Sequence, residues 1–326
     1  MNRKTTIAGL LAAATLTTIV TTGAAPAFAA DGATDHGRPG TYTLNGDAEG
    51  SRFEGIGADQ RSGAFYVSEV TGGEIHRGDV RSSATEQWIA GDGTDGRYTA
   101  RGITVDRDGN VYVAGGPNGI GTGRPDLWVY SPEGDLLASL RVPGTADAFL
   151  NDVAIGADGA AYFTNSNDPQ VFRVAQGSDG QWGAELWADA TGTVSRVAGF
   201  NLGGIVLTAD RSAFVVAQGN VGKLFRFGFD GTVTEIATPG ADLVNADGLV
   251  REGNELTIVR NFSKAITTLR ISADGSTARF VSDVATDPSR VLTTAKSLHG
   301  RTLYVDSEFG DGQVEAPYEV ITNPFA

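Results

Sequence analysis

The chain has 326 residues, no cysteine, and 39 acidic against 25 basic side chains, a net charge of −14. Without thiols there is no disulfide, no thiolate metal site and no cysteine nucleophile. The acidic balance argues against nucleic acid or an anionic membrane as partner, since both need clustered Lys and Arg. It suits cation binding and plain solubility alike.

The first element reads as a leader. Arg3 and Lys4 precede an apolar stretch from Ile7 to Val20, and Ala27-Phe28-Ala29 offers an A-x-A cleavage site. The stretch is short and threonine-rich for a membrane anchor. Residues 1–29 are therefore expected to be a signal peptide and 30–40 a flexible mature N-terminus, with 41–326 a single domain. A protein secreted to the extracellular side is predicted, a monomer with no membrane span in its mature chain.

From there one unit recurs. A turn followed by a short β-branched or aromatic strand appears at Gly63-Ala64-Phe65-Tyr66-Val67, Gly109-Asn110-Val111-Tyr112-Val113 and Gly159-Ala160-Ala161-Tyr162-Phe163. It returns at Ser212-Ala213-Phe214-Val215-Val216, Asn254-Glu255-Leu256-Thr257-Ile258 and Arg301-Thr302-Leu303-Tyr304-Val305. Taking Tyr66, Tyr112, Tyr162, Val215, Thr257 and Tyr304 as equivalent, the steps run from 42 to 53 residues. An apolar strand precedes each turn and a third strand follows, as in Leu127-Trp128-Val129-Tyr130 and Leu224-Phe225-Arg226-Phe227. Further turns such as Asp230-Gly231 and Asp274-Gly275 lead to a fourth strand. Four short antiparallel strands at this period describe a propeller blade. The fold class predicted is all-β, a six-bladed β-propeller. Tyr42-Thr43-Leu44 and Glu319-Val320-Ile321 are expected to close the ring and remove its exposed edges.

In such a fold the start of each first strand rings one mouth of the central channel. Counting ten to fourteen residues back from the equivalent positions gives Glu54, Arg101, Asn151, Asn201, Asp247 and Arg290. All are polar on otherwise apolar strands. Two carboxylates and two carboxamides without His or thiol point to one hard divalent cation, Ca²⁺ ahead of Mg²⁺ or Mn²⁺. By position alone the same side chains would equally cap strand ends by hydrogen bonding. Second-strand ends add Asn165, Gln218 and Asn261 to the polar mouth.

The strings Phe53-Glu54-Gly55-Ile56-Gly57-Ala58-Asp59, Asn151-Asp152, Gly199-Phe200-Asn201-Leu202-Gly203 and Asn245-Ala246-Asp247-Gly248-Leu249 resemble the SMP-30/gluconolactonase/LRE-like family. That family consists of six-bladed propellers that hold a divalent cation at the channel mouth and hydrolyse lactones. The resemblance implies that Glu54, Asn151, Asn201 and Asp247 are metal ligands and that Asp152 lines the substrate site. A lactonase-type hydrolysis of a small lactone or ester follows. Asp247 or Asp152 would act as general base. Arg101 and Arg290 would hold an oxyanion or substrate carboxylate, with Asn165 beside them; a salt bridge to a ring carboxylate is the other reading of the two arginines. The competing class is a non-catalytic ligand- or protein-binding propeller with a structural cation at its mouth.

Other signals are set aside. The three histidines, His36, His76 and His299, fall off the inner ring, and no G-x-S-x-G elbow occurs. The run from Gly115 to Gly123 lies between strands with no helix after it, which fails the condition for a nucleotide loop. A mouth loop is expected there instead. Asp106-Arg107-Asp108-Gly109-Asn110 imitates an EF-hand start but reads as a hairpin turn.

Overall fold

The computed structural model describes residues 37–116, 123–310 and 316–325. The expected signal peptide, most of the expected flexible N-terminus and most of the Gly115–Gly123 run lie outside the described residues.

Among the described residues every regular element is a strand, apart from one 3₁₀ turn at Thr94–Gly96. After β1 (Thr41–Leu44) the chain lays down four-stranded antiparallel sheets in order of sequence. The first holds β2 (Phe53–Ala58), β3 (Ala64–Glu69), β4 (Ile75–Asp79) and β5 (Ser82–Ile89), the second β6 (Ile103–Val105), β7 (Val111–Ala114), β8 (Leu127–Tyr130) and β9 (Leu136–Leu140). Next come β10 (Leu150–Ile155), β11 (Ala161–Asn165), β12 (Gln170–Gln176) and β13 (Trp182–Asp189), then β14 (Leu202–Leu207), β15 (Ala213–Gln218), β16 (Lys223–Gly228) and β17 (Val233–Ile236). β18 (Ala246–Glu252), β19 (Glu255–Arg260), β20 (Ala265–Ile271) and β21 (Ala278–Ala285) follow. The last set is β22 (Leu292–Leu298), β23 (Arg301–Asp306) and β24 (Tyr318–Ile321), completed by β1 from the other end of the domain. The β1–β24 register pairs Tyr42 with Val320 and Thr43 with Glu319, as the sequence predicts. A single parallel pair, Thr43 with Ala84, ties this set to the first sheet.

This is the architecture of a β-propeller. Each equivalent position, Tyr66, Tyr112, Tyr162, Val215, Thr257 and Tyr304, lies on the second strand of its sheet. Alternation across a strand then sends neighbouring residues into different cores. Phe163 packs with Tyr112 and Leu127 of the preceding sheet, while Tyr162 packs with Phe214 and Phe227 of the following one. Tyr42, Phe53, Leu303 and Val320 make the equivalent core where the first and last sheets meet. Each buried Phe or Leu contributes about 1.5–3 kcal/mol, so cohesion is spread around the sheets.

The inner strands touch in sequence around the axis, β2 to β6, β6 to β10, β10 to β14, β14 to β18, β18 to β22, and β22 back to β2. Side chains stitch them together. Thr293 Oγ1 donates to the Glu54 carbonyl at 2.8 Å, and Thr164 Oγ1 to the Gly203 carbonyl at 2.8 Å. The Gly102 N–H reaches the Asn151 carbonyl at 2.7 Å.

Candidate functional site

Five of the six inner strands carry a β-bulge at the same place. Phe53 pairs with Glu69 and Ile56 with Val67, so β2 spends one residue more than β3 across that interval. The same shift occurs at Leu150/Val153, Leu202/Ile205, Ala246/Leu249 and Leu292/Ala295. Just ahead of β6, Arg101 and Gly102 both bond to Ala114. The extra residue re-aims side chains toward the axis, a recurrent use of bulges. The first bulge residues are thus Glu54, Arg101, Asn151, Gly203, Asp247 and Thr293.

Five of the six residues picked from the sequence line one cavity, four of them from the bulge position, and Arg290 does not. Asn201 lies two residues ahead of the bulge position Gly203. It lines the cavity, but its Oδ1 accepts from the Val197 N–H at 2.8 Å and from Gln218 Nε2 at 3.0 Å, while its Nδ2 donates to the carbonyls of Val197 and Gly199. Its carboxamide pins the 197–201 turn. Arg290 lies three residues ahead of Thr293 and away from the cavity. It binds Asp306 Oδ2 at 2.6 Å and Glu319 Oε2 at 2.7 Å, clamping β23 and β24, so it makes a salt bridge, though not to a carboxylate of the ring.

Glu54, Arg101, Asn151, Asp247 and Asn261 line one cavity of about 460 Å³ together with Val70, Phe149, Phe200, Phe262 and Phe309. Asn261 Nδ2 donates to Asp247 Oδ2 at 2.8 Å. The Asp247 Oδ1 side faces open space. A Cβ on Gly203 would lie 3.9 Å from that oxygen and 3.6 Å from Asn151 Oδ1, so the missing side chain leaves a gap flanked by both. Burial pushes Asp247 up to about 7, aided by the negative charge of Asp152. Glu54 rises to about 8 by burial, against the pull of Arg101 and with the push of Asp247 and Asp152.

Arg101 is buried, 1% exposed, and its Nε lies 4.0 Å from Glu54 Oε2. Neither Nη atom has a partner among the described residues. The guanidinium carbon stands 3.7 Å from the centroid of the Phe149 ring, which in turn packs on Phe200 with centroids 4.9 Å apart. Burial lowers Arg101 to about 10, leaving it charged at neutral pH.

Asp152, the other expected base, does not line this cavity. It faces the narrow continuation of the channel, with Gly55, Gly102 and Thr294. Its Oδ1 accepts from the Val153 N–H at 2.8 Å and its Oδ2 from the Ile205 N–H at 3.2 Å, which binds β10 to β14. Asn165 is also absent from the cavity wall. Its Oδ1 accepts the Phe149 N–H at 3.1 Å, so it positions the ring that supports Arg101. Gln218 stands behind Asn201, donating to it and to the Ser195 carbonyl.

The aromatic rim escaped the sequence reading. Phe200 and Phe262 are 60% and 56% exposed, and each directly neighbours a polar residue of the cavity wall. The one available signal was an exposed phenylalanine inside the quoted Gly199-Phe200-Asn201 string. His76 belongs to β4, buried against Glu69, and His299 forms a turn; neither reaches the cavity.

Fold and cavity define a β-propeller with a pocket of aromatic and polar side chains at the start of its inner strands. A family model described as a beta-propeller repeat matches residues 87–119. No curated protein matches the chain in sequence. Among solved structures it is similar to a gluconolactonase from Xanthomonas campestris, with a TM-score of 0.59, 15% identity, and coverage of 88% of this chain and 92% of that one. Regucalcin from Agrobacterium tumefaciens, a calcium-binding protein, matches with a TM-score of 0.56 and 14% identity over 85% and 95%. Virginiamycin B lyase from Staphylococcus aureus matches with a TM-score of 0.58 and 15% identity over 87% and 88%. At these identities the likeness is one of fold, and it includes the SMP-30 family that the sequence strings resemble.

Proposed function

We propose that this protein is an exported six-bladed propeller hydrolase that opens a lactone or related ester with the help of one divalent cation. The observation that carries the reading is Arg101: a buried guanidinium whose two Nη atoms have no partner among the described residues, in the wall of a cavity that also holds the half-buried carboxylates of Glu54 and Asp247. Six sets of four strands, the last shared by both chain ends, support the blade count. The leader-like residues 1–29 support export.

The donor set fits a hard cation. Glu54, Asn151 and Asp247 offer oxygen only, beside a gap that a Gly203 side chain would fill. These three would hold Ca²⁺, or else Mg²⁺ or Mn²⁺, which when bound supplies Lewis-acid polarisation of an ester carbonyl. Asn201, its oxygen already engaged, pins the 197–201 turn instead.

The remaining work belongs to the chain. Asn261 fixes Asp247 through Oδ2 and so holds the carboxylate where it would take a proton from water. The open fork of Arg101 binds the carbonyl oxygen as negative charge develops on it. Phe149 holds the fork in place. Phe200, Phe262 and Phe309 exclude water and favour a substrate with an apolar or aromatic substituent over a polyhydroxylated one.

Lyase chemistry is the less favoured alternative. A form of virginiamycin B lyase with one histidine replaced by alanine is catalytically inactive, whereas both described histidines here lie outside the cavity. The test is hydrolysis of a lactone panel followed with a pH indicator, in Ca²⁺ and in EDTA, beside Asp247→Ala. Turnover that EDTA and the substitution both abolish supports the proposal. No turnover on any lactone, with a melting temperature that falls in EDTA, supports the binding propeller with a structural cation.

A further inference from the structure

A second group of carboxylates lies outside the cavity. One carboxylate oxygen each from Asp47, Glu69 and Glu74 falls within 4.8 Å of the others. They come from separate stretches of chain: Asp47 from the β1–β2 connection, Glu69 from the end of β3, and Glu74 from just before β4. Glu69 and Glu74 are 1% and 6% exposed.

These two are not satisfied by protein. Glu69 Oε1 and Glu74 Oε2 are buried without a hydrogen-bond partner among the described residues. Among the described residues His76 faces the group, its Nε2 3.4 Å from Glu69 Oε2. Arg97, close enough for Glu74 to act on its charge, spends its guanidinium on the Gly73 and Ala90 carbonyls and on Tyr130 Oη. Burial pushes the Glu74 carboxyl up, and the negative charges of Glu69, Asp47 and Asp92 push it further. A side chain on either Gly72 or Gly91 would overlap the Glu74 carboxylate, so the backbone closes around it.

Buried carboxylates without partners are costly unless something positive is held between them. Two of them together with the exposed Asp47, all oxygen donors, match a hard divalent cation better than a soft one. We infer that Asp47, Glu69 and Glu74 form a second, structural divalent-cation site, for Ca²⁺ by the chemistry of its donors. It lies behind the cavity wall. Glu69 precedes Val70 of that wall, and its carbonyl accepts the Ala100 N–H at 3.0 Å, one residue before Arg101. A cation here braces the hairpin on which Arg101 leans. The inference does not depend on the hydrolase reading.

The test is calorimetric titration of chelator-stripped, desalted protein with CaCl₂, with melting curves alongside. Glu74→Gln is expected to bind one Ca²⁺ fewer than the wild type, whereas Asp247→Asn keeps this site. Asp47 is exposed and its replacement leaves the core intact, so Asp47→Asn covers the case in which the Glu74 variant fails to fold. That variant is expected to bind Ca²⁺ at this site at least tenfold more weakly. Unchanged stoichiometry and affinity in both variants would overturn the inference. So would a wild type that binds a single Ca²⁺, the one that Asp247→Asn removes.

Discussion

Arg101 meets Glu54 through Nε alone, at 4.0 Å from Oε2, and both of its Nη atoms stay open. A pair built for stability would be bidentate, with the guanidinium fork closed on the carboxylate. Instead Phe149 props the guanidinium from one side at 3.7 Å, and Asn165 fixes the Phe149 backbone. Glu54 keeps the charge tolerable and leaves the donors free for an incoming oxygen.

Arg101→Ala should accordingly lower kcat/KM on a cleaved lactone by about 10²–10³-fold, the usual cost of losing an oxyanion donor. Arg101→Lys should restore little, because an ammonium is a point charge without the planar fork. Steady-state kinetics on both variants check this. A rise in KM with kcat intact would show that Arg101 only holds the ground state.

The two glycines of the fourth inner bulge should respond in opposite ways. Gly203→Ala places a methyl 3.6 Å from Asn151 Oδ1 and 3.9 Å from Asp247 Oδ1, which is ordinary contact. Its melting temperature should stay near wild type while divalent-cation affinity falls about tenfold or more. Gly204→Ala would overlap the Asp247 carbonyl oxygen and the Leu249 side chain, where β14 meets β18. It should be destabilised by about 3 kcal/mol or more, in the range of overpacked and strained sites. Melting and Ca²⁺ titration of the pair separate the effects. Equal loss of stability in both would show that the gap beside Gly203 has no function.

The repeat made most of the site legible before any geometry was known. Glu54, Arg101, Asn151 and Asp247 were found because a polar residue on an apolar strand, at constant distance from a recurring hairpin, stands out against its background. The same count missed the bulge position at Asn201, which still lines the cavity, and missed the cavity at Arg290. The bulge keeps register with the second strand, whereas the preceding loop differs in length from sheet to sheet, and the residues actually aimed inward there are Gly203 and Thr293. A glycine and a threonine give no polar signal of that kind. The phenylalanine rim gives no periodic signal for another reason: Phe149, Phe200 and Phe262 lie in connections between strands, whose aim is set by bonds such as Phe149 N–H to Asn165 Oδ1. The Asp47–Glu69–Glu74 group joins three segments with no shared spacing, and only the folded hairpin brings them together.

Stability of the metal-free protein should fall as pH rises. Burial lifts Glu54 to about 8 and Asp247 to about 7, above their ordinary values of 4.5 and 3.8. Between roughly pH 4 and 8 the unfolded chain has released these protons and the folded chain still holds them. The native state therefore binds more protons across that window, and stability declines until both groups ionise. Asp79 and Asp274, held down near 2 by local hydrogen bonds, act below it. Chelator-treated protein should melt lower at pH 8.5 than at pH 6, and Asp247→Asn should flatten the slope. Added Ca²⁺ should recover most of the loss at the higher pH. A melting temperature that is level or rising from pH 6 to 8.5 without metal would mean that these carboxylates are already ionised.

The aromatic rim should govern substrate choice without touching the chemistry. Phe200 and Phe262 are mostly exposed, so Phe200→Ala and Phe262→Ala should change folding stability by no more than about 0.5 kcal/mol. Each ring covers part of a bound substituent, and losing that cover costs about 1–2 kcal/mol at roughly 25 cal/mol per Å². For a lactone bearing an alkyl or phenyl group, KM should rise about five- to thirtyfold in each variant with kcat nearly unchanged, the signature of uniform binding lost. For an unsubstituted lactone neither constant should move. The double variant should exceed either single one, and by less than the product of the two, because the rings face one cavity. An equal rise in KM for both lactones would place the rings on the ring-opening part of the substrate, and Arg101 would then have to meet the substituent instead.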